Sequence, residues 1–299
     1  MPSRSQSWTV FELLKWTTDR FRAAGIDDPR VDAEHLLAQA LQCSRVDLYL
    51  QHARLLDEAA RTPFRELVKR RLAREPVAYI SGKRGFHALD LALTVDRRVL
   101  IPRPETEHLV DWILEWVHPR PAPITRVLDV GTGSGAIALA LKHAREDLEV
   151  TACDRSREAL AVARSNAEEH DLEVTWIESD LLDSVPIPVG GWSVIAANLP
   201  YIPTADLEGL QPEVRDYEPL AALDGGADGL DLVRRLVRGC TQYGVMAPYS
   251  RLFLEIGIGQ ATATAELLTA HGFVEVEQRK DLAGIGRVVS GEWPGAEAD

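Results

Sequence analysis

Apolar positions along the first seventy-odd residues recur at three- and four-residue spacing, the period of helices with one buried face. Thr9-x-x-Glu12 offers a capping box ahead of Leu13, Leu14 and Phe21. Asp28-Pro29 supplies an N-cap and a first-turn proline for a helix carrying Val31, His35, Leu36, Leu37, Ala40 and Leu41. A further helical pattern over 57–75 completes a predicted small bundle spanning residues 1–76. Between 77 and 95 the period changes to short apolar runs broken by Ser81-Gly82 and Leu89-Asp90, which predicts an extended connector or hairpin over 77–100. Leu100-Ile101-Pro102-Arg103-Pro104-Glu105-Thr106-Glu107 then opens a helix whose apolar face holds Leu109, Val110, Ile113, Leu114 and Val117. Beyond it, predicted strands at 126–130, 149–153, 173–177, 192–197 and 251–256 alternate with helical patterns, which means an α/β fold with a mainly parallel sheet over 101–299. Residues 273–279 and 287–293 read as a terminal antiparallel pair, and the acidic tail after Trp293 as loose.

Composition narrows the field. A chain of 299 residues can bury two cores, and a formal charge of -13 argues against direct binding of a phosphate backbone, which draws on clustered Lys and Arg. Within this acidic chain the 57–75 helix carries Arg61, Arg65, Lys69, Arg70, Arg71 and Arg74 against Glu66; it is either a solvated face or a docking surface for an acidic partner or RNA. Cys43, Cys153 and Cys240 are far apart and lack CxxC spacing, so they read as small buried residues in a reducing, cytoplasmic protein with no metal site. No run approaches the roughly 20 apolar residues of a membrane span, and Met1 to Val10 holds no signal-peptide core. Nothing in the sequence sets an oligomeric state.

The chemistry lies in two strings. In Leu128-Asp129-Val130-Gly131-Thr132-Gly133-Ser134-Gly135, glycines let the backbone turn sharply after a strand and approach a ligand at the positive end of the next helix. With Ala136 the string also fits a dinucleotide fingerprint, so an NAD-dependent enzyme stays open. Asp154, after the next strand, would accept the ribose hydroxyls of an adenosine or cap the helix near Arg157. Asp180, with Leu181 against the ring, suits an adenine amino group or a plain turn. Downstream, Asn198-Leu199-Pro200-Tyr201 makes a rigid corner in which the Asn198 side-chain oxygen and the Leu199 carbonyl are two acceptors for a planar NH₂ group, with Tyr201 as a wall. Loop and corner together imply a methyltransferase acting on a planar nitrogen by positioning, since the corner holds no strong base. An exocyclic adenine amine presents the same donor pair, so an adenine-N6 methyltransferase on DNA or RNA is the alternative, and a non-catalytic cofactor-binding adaptor a third reading.

These strings, joined by Arg74-Glu75-Pro76-Val77-Ala78-Tyr79-Ile80-Ser81-Gly82, Leu100 to Glu107, Asp216-Tyr217-Glu218-Pro219, Leu223-Asp224-Gly225-Gly226-Ala227-Asp228-Gly229-Leu230-Asp231 and Leu254-Glu255-Ile256-Gly257, resemble the PrmC/HemK family over nearly the whole chain. That family comprises the protein-(glutamine-N5) methyltransferases of class 1 peptide chain release factors. The resemblance implies a Rossmann-like class I domain with seven strands and an antiparallel C-terminal strand, preceded by a helical domain that docks substrate. It implies S-adenosylmethionine as donor, S-adenosylhomocysteine as product, and the glutamine of a Gly-Gly-Gln loop as acceptor. Carried onto this chain, Gly131, Thr132, Gly133, Ser134, Gly135, Asp154, Asp180, Leu181 and Asn198 contact the cofactor, Asn198 to Tyr201 hold the glutamine amide, and Arg103 and Glu105 line the cofactor entrance. The family usually has Asn-Pro-Pro-Tyr; Leu199 keeps the carbonyl at that position but gives up rigidity.

Overall fold

The computed structural model describes residues 8–118, 125–242 and 245–295, so the tail beyond 295 lies outside the described residues. The chain divides into two compact units, one of Met1–Gly82 with Gln211–Tyr217, the other of Lys83–Leu210 with Glu218–Asp299.

The first unit is helical: β1 (Trp8–Thr9), α1 (Val10–Ala23), α2 (Pro29–Leu41), α3 (Arg45–Leu50), β2 (Leu55–Leu56), α4 (Glu58–Leu72) and α5 (Val77–Ser81). The predicted capping box forms, with Thr9 Oγ1 accepting the Glu12 N–H at 3.2 Å and the Glu12 carboxylate accepting the Thr9 N–H at 2.9 Å. Phe21, Leu36, Leu37, Phe64 and Val68 fill the core. Two expectations change. Residues 77–81 form a helical turn rather than an extended connector, bounded by Pro76 and by Gly82 in the left-handed region; one turn is too short to show a helical period. The basic face of α4 is paired off: Arg61 and Arg65 meet Glu58, Lys69 meets Glu66 and Arg70 meets Glu75. Arg71 reaches Asp32 at 2.7 Å and Glu213 at 2.8 Å, and Arg74 also reaches Glu213. Arg61 and Arg71 are buried, so this helix is no bare cationic stripe.

The second unit opens with the antiparallel hairpin β3 (Lys83–Phe86) and β4 (Ala88–Thr94), followed by α6 (Pro104–Val117). Then come β5 (Arg126–Val130), α7 (Ala136–Ala144), β6 (Glu149–Asp154), α8 (Arg157–Glu169), β7 (Thr175–Glu178) and β8 (Trp192–Asn198). After β8 the chain lends α9 (Pro212–Arg215) to the first unit, then returns as α10 (Asp231–Gln242), β9 (Met246–Glu255), α11 (Ala261–Ala270), β10 (Val274–Lys280) and β11 (Gly286–Trp293).

Strand order is β10-β11-β9-β8-β5-β6-β7, with β5 to β9 parallel and β11 antiparallel to both its neighbours. This is the predicted class I architecture. Both faces are covered, so the central strands are apolar at successive positions. Val127, Val194, Ala196 and Phe253 pack in one core with α6 and α7, while Leu128, Ile195, Ala197 and Leu254 pack in the other with α10. No helix among the described residues is long and apolar enough to cross a membrane.

Candidate active site

The connection from β5 runs to β6 on one side, while β8 lies on the other, so the strand order reverses between β5 and β8. Open α/β sheets bind ligands at such a reversal, beyond the carboxyl ends of the strands. A cavity opens there, lined by Gly131, Thr132, Gly133 and Ser134 after β5, Asp154 after β6, Asp180 and Leu181 after β7, and Asn198, Leu199 and Pro200 after β8. Arg103 and Thr106 from the start of α6 complete this wall.

The loop after β5 is shaped from within by Asp129. This fully buried carboxylate accepts the Thr132 hydroxyl at 2.6 Å and the Ala138 N–H at 3.2 Å, tying the turn to α7. Its Oδ1 has no partner among the described residues, and burial pushes its pKa up to about 7 against those two hydrogen bonds. Gly133 has φ +56°, and a Cβ there would meet no protein atom within 4 Å, so its open side faces the cavity. Gly135 is different. It does not line the cavity, and a Cβ there would crowd Leu139, Trp176 and Ala163 at 3.1–3.3 Å, so it serves the packing of α7.

Asp154 accepts the Gly133 N–H at 2.9 Å and the Ser156 N–H at 2.8 Å, which locks the glycine loop to the end of β6. Burial raises its pKa against those bonds. The cap of α8 is Ser156, whose hydroxyl accepts the Ala159 N–H at 3.1 Å, so the capping role considered for Asp154 passes to its neighbour. Asp180 Oδ2 pairs with Arg235 at 2.9 Å, and Leu181 adopts φ +52°.

The corner after β8 is braced on every side. Leu199 is buried, and its Cδ2 would lie 3.0 Å from a Cβ at Gly131, so the side chain that replaces the family's proline packs on the glycine loop. The Gln260 amide donates to the Tyr201 carbonyl at 2.9 Å and accepts the Gly257 N–H at 2.8 Å. Ile202 exchanges backbone hydrogen bonds with Leu223 and Gly225 at 3.0 and 2.9 Å. A Cβ at Gly229 would overlap the Tyr201 carbonyl, and one at Gly225 would come within 2.6 Å of the Pro200 carbonyl, so only glycine lets this loop lie against the corner.

Asn198 Nδ2 donates to Thr106 Oγ1 at 3.1 Å, and Asn198 stands opposite Glu255 in the β8–β9 register. Glu255 is buried, and that burial pushes its pKa up to about 7, opposed by hydrogen bonds from Thr106 and Asn198 and by Arg287, and reinforced by Glu105. Tyr201 is likewise pushed up to about 12, by burial and then by Glu255. Glu105 therefore belongs to this group rather than to the cavity lining, whereas Arg103 does line the cavity, held by buried Glu218 at 2.6 Å. The corner itself, Asn198 to Tyr201, holds no strong base, and Glu255, buried beside it on β9, is a group the sequence reading did not bring to the site. Glu255 and Asp129 carry one legible signal, a carboxylate flanked by buried apolar residues near the end of a strand, Leu128 and Val130 about Asp129 and Leu254 and Ile256 about Glu255.

Comparison with known proteins adds to this geometry. Residues 12–82 match the family model of the PrmC N-terminal domain, and residues 127–217 match a methyltransferase domain. The chain is 41% identical to a release factor glutamine methyltransferase of Geobacter sulfurreducens over 97% of its length and 99% of that protein. It is also 41% identical to one of Rhodopirellula baltica, over 96% of this chain and 97% of the relative. Among solved structures, the hMettl16 catalytic domain in complex with a MAT2A 3'UTR hairpin superposes with a TM-score of 0.54 at 16% identity, over 67% of this chain and 75% of that one, which is likeness of fold.

Proposed function

We propose the reaction from the family: the chain belongs to the release factor glutamine methyltransferases, and it moves a methyl group from S-adenosylmethionine to the side-chain amide nitrogen of the glutamine in the Gly-Gly-Gln loop of class 1 release factors. Modification of that loop tunes translation termination, which places the protein in the cytoplasm. The observation that carries this reading is that a double-acceptor corner and a glycine loop, in contact through Leu199 and Gly131, share one cavity.

The cavity fits the cofactor. Gly133 leaves room for close approach, and Asp154 lines the cavity beside the loop. Gly131 to Ser134 would hold the amino-acid end, Asp154 the ribose hydroxyls, and Leu181 with the second oxygen of Asp180 the adenine. When bound, S-adenosylmethionine supplies an electrophilic methyl on a sulfonium. The protein supplies orientation. An amide nitrogen is a poor nucleophile because its lone pair is delocalised; accepting both N–H protons on Asn198 Oδ1 and the Leu199 carbonyl enriches that nitrogen and aims it. Tyr201, packed on Gly257, walls the planar group, and the proton leaves to water after transfer. The helical unit, whose residues 12–82 match the PrmC N-terminal domain, would supply the contacts that select the protein substrate.

Asn198→Ala tests this division of labour. It is expected to remove most methyl transfer to a purified release factor while S-adenosylhomocysteine affinity stays within a few fold by calorimetry. Parallel loss of both would assign Asn198 to the cofactor instead.

A further inference from the structure

An asparagine side chain can present either its oxygen or its NH₂ to a cavity, and only the oxygen accepts the protons of an amide. Something must set which way it faces. Thr106 cannot do so alone, because a hydroxyl both donates and accepts. An ionised carboxylate only accepts. Glu255 is the carboxylate within hydrogen-bonding reach of both Thr106 and Asn198, across the β8–β9 register and sealed from solvent. We propose that Glu255, acting with Thr106, is the positioning residue that fixes the Asn198 amide with Nδ2 inward and Oδ1 toward the acceptor, and that its ionisation is a condition for methyl transfer.

This inference rests on the reading of Asn198 as the amide acceptor. The inward Nδ2 has two protons, one held by Thr106 Oγ1 at 3.1 Å and the other available to Glu255. Protonated Glu255 becomes a donor, and the opposite orientation is then equally well satisfied: Oδ1 turns inward and Nδ2 confronts the acceptor's own N–H groups. The corner then repels the amide it was built to hold. The charged and titratable groups that face Glu255 are Glu105 of α6, Arg287 of β11 and Tyr201 of the corner. Arg287 is itself paired to Asp281 at 2.9 Å, so Glu255 is not locked in the ionised form by a dedicated partner. Its Oε2 has no hydrogen-bond partner among the described residues, in keeping with a carboxylate kept for its polarity rather than for stability.

The test compares wild type, Glu255→Gln, Glu255→Met and Thr106→Val in the full-length protein, measuring kcat/KM on a purified release factor between pH 5.5 and 9 and S-adenosylhomocysteine affinity by calorimetry. Wild type is expected to lose activity below about pH 7. Glutamine, being ambivalent at every pH, should lower the plateau several-fold and abolish that limb. Methionine and valine should lower kcat/KM at least tenfold with cofactor affinity held within a few fold. Glu255→Gln is isosteric, so its pH profile decides the matter even where the methionine variant fails to fold. A limb that persists in Glu255→Gln belongs to another group and overturns the proposal, as does wild-type kcat/KM in the methionine variant or parallel loss of cofactor binding. A wild type that does not methylate the release factor at any pH is a separate result, which removes the functional reading and this inference with it.

Discussion

Asp129 and Glu255 are single carboxylates in strands whose neighbouring side chains are apolar on both faces, and their chemistry follows from that placement. Burial raises each to about 7, so the folded protein binds protons that the unfolded chain has released. The stability they confer is complete below the ordinary carboxylate range and is lost as pH rises through about 7. We expect the melting temperature to fall between pH 5 and pH 8, by the equivalent of on the order of 3 kcal/mol per group, and Asp129→Asn to flatten part of that slope. An unchanged slope in Asp129→Asn would show that its carboxylate is ionised throughout. At the same scale, Asp154 lines the cavity. Its loss in Asp154→Ala should weaken S-adenosylhomocysteine by roughly 1–3 kcal/mol, the worth of charge-assisted hydrogen bonds, and calorimetry without a change would remove it from the cofactor site.

At the scale of elements, the two glycine-rich loops are built for different ends. Gly133→Ala places its Cβ in open space, so the variant should fold with a small loss from its positive φ and show weakened cofactor binding. Gly229→Ala drives a methyl into the Tyr201 carbonyl, so it should displace the corner and remove methyl transfer while cofactor binding survives. Titrating both variants with S-adenosylhomocysteine checks this, and equal affinities would contradict it. Much of this was readable beforehand. Period and turn chemistry located the strands of the sheet, the glycine loop and the corner, because each is a local signal. What escaped was relational. Thr106, Glu255 and Gln260 stand 92, 57 and 59 residues from the groups they brace; the β8–β9 register brings Glu255 to Asn198, while Thr106 comes from α6 and Gln260 from the start of α11. The family resemblance likewise implied Glu105 at the cavity and Gly135 at the ligand, where packing gives them other neighbours.

The whole chain is one polypeptide of two units in which a loop of the second, Gln211–Tyr217, belongs by its contacts to the first. No pattern in the sequence announces this, since Glu213 is an ordinary acid until Arg71 and Arg74 are seen to close on it. Arg71→Ala would leave Asp32 and Glu213 facing each other with their shared partner gone, and should destabilise the helical unit by roughly 3 kcal/mol in denaturant titrations. Reversing exposed Lys69, paired to equally exposed Glu66, should cost under about 1 kcal/mol. Equal costs would mean that the Arg71 network is solvated. The reaction itself is checked by incubating the protein with isotopically labelled S-adenosylmethionine and a class 1 release factor, then locating the label by peptide mass spectrometry. One methyl is expected on the side-chain amide of the Gly-Gly-Gln glutamine, absent with Asn198→Ala and absent from DNA and RNA offered in its place; label on any other residue, or on adenine of a nucleic acid, would refute this assignment.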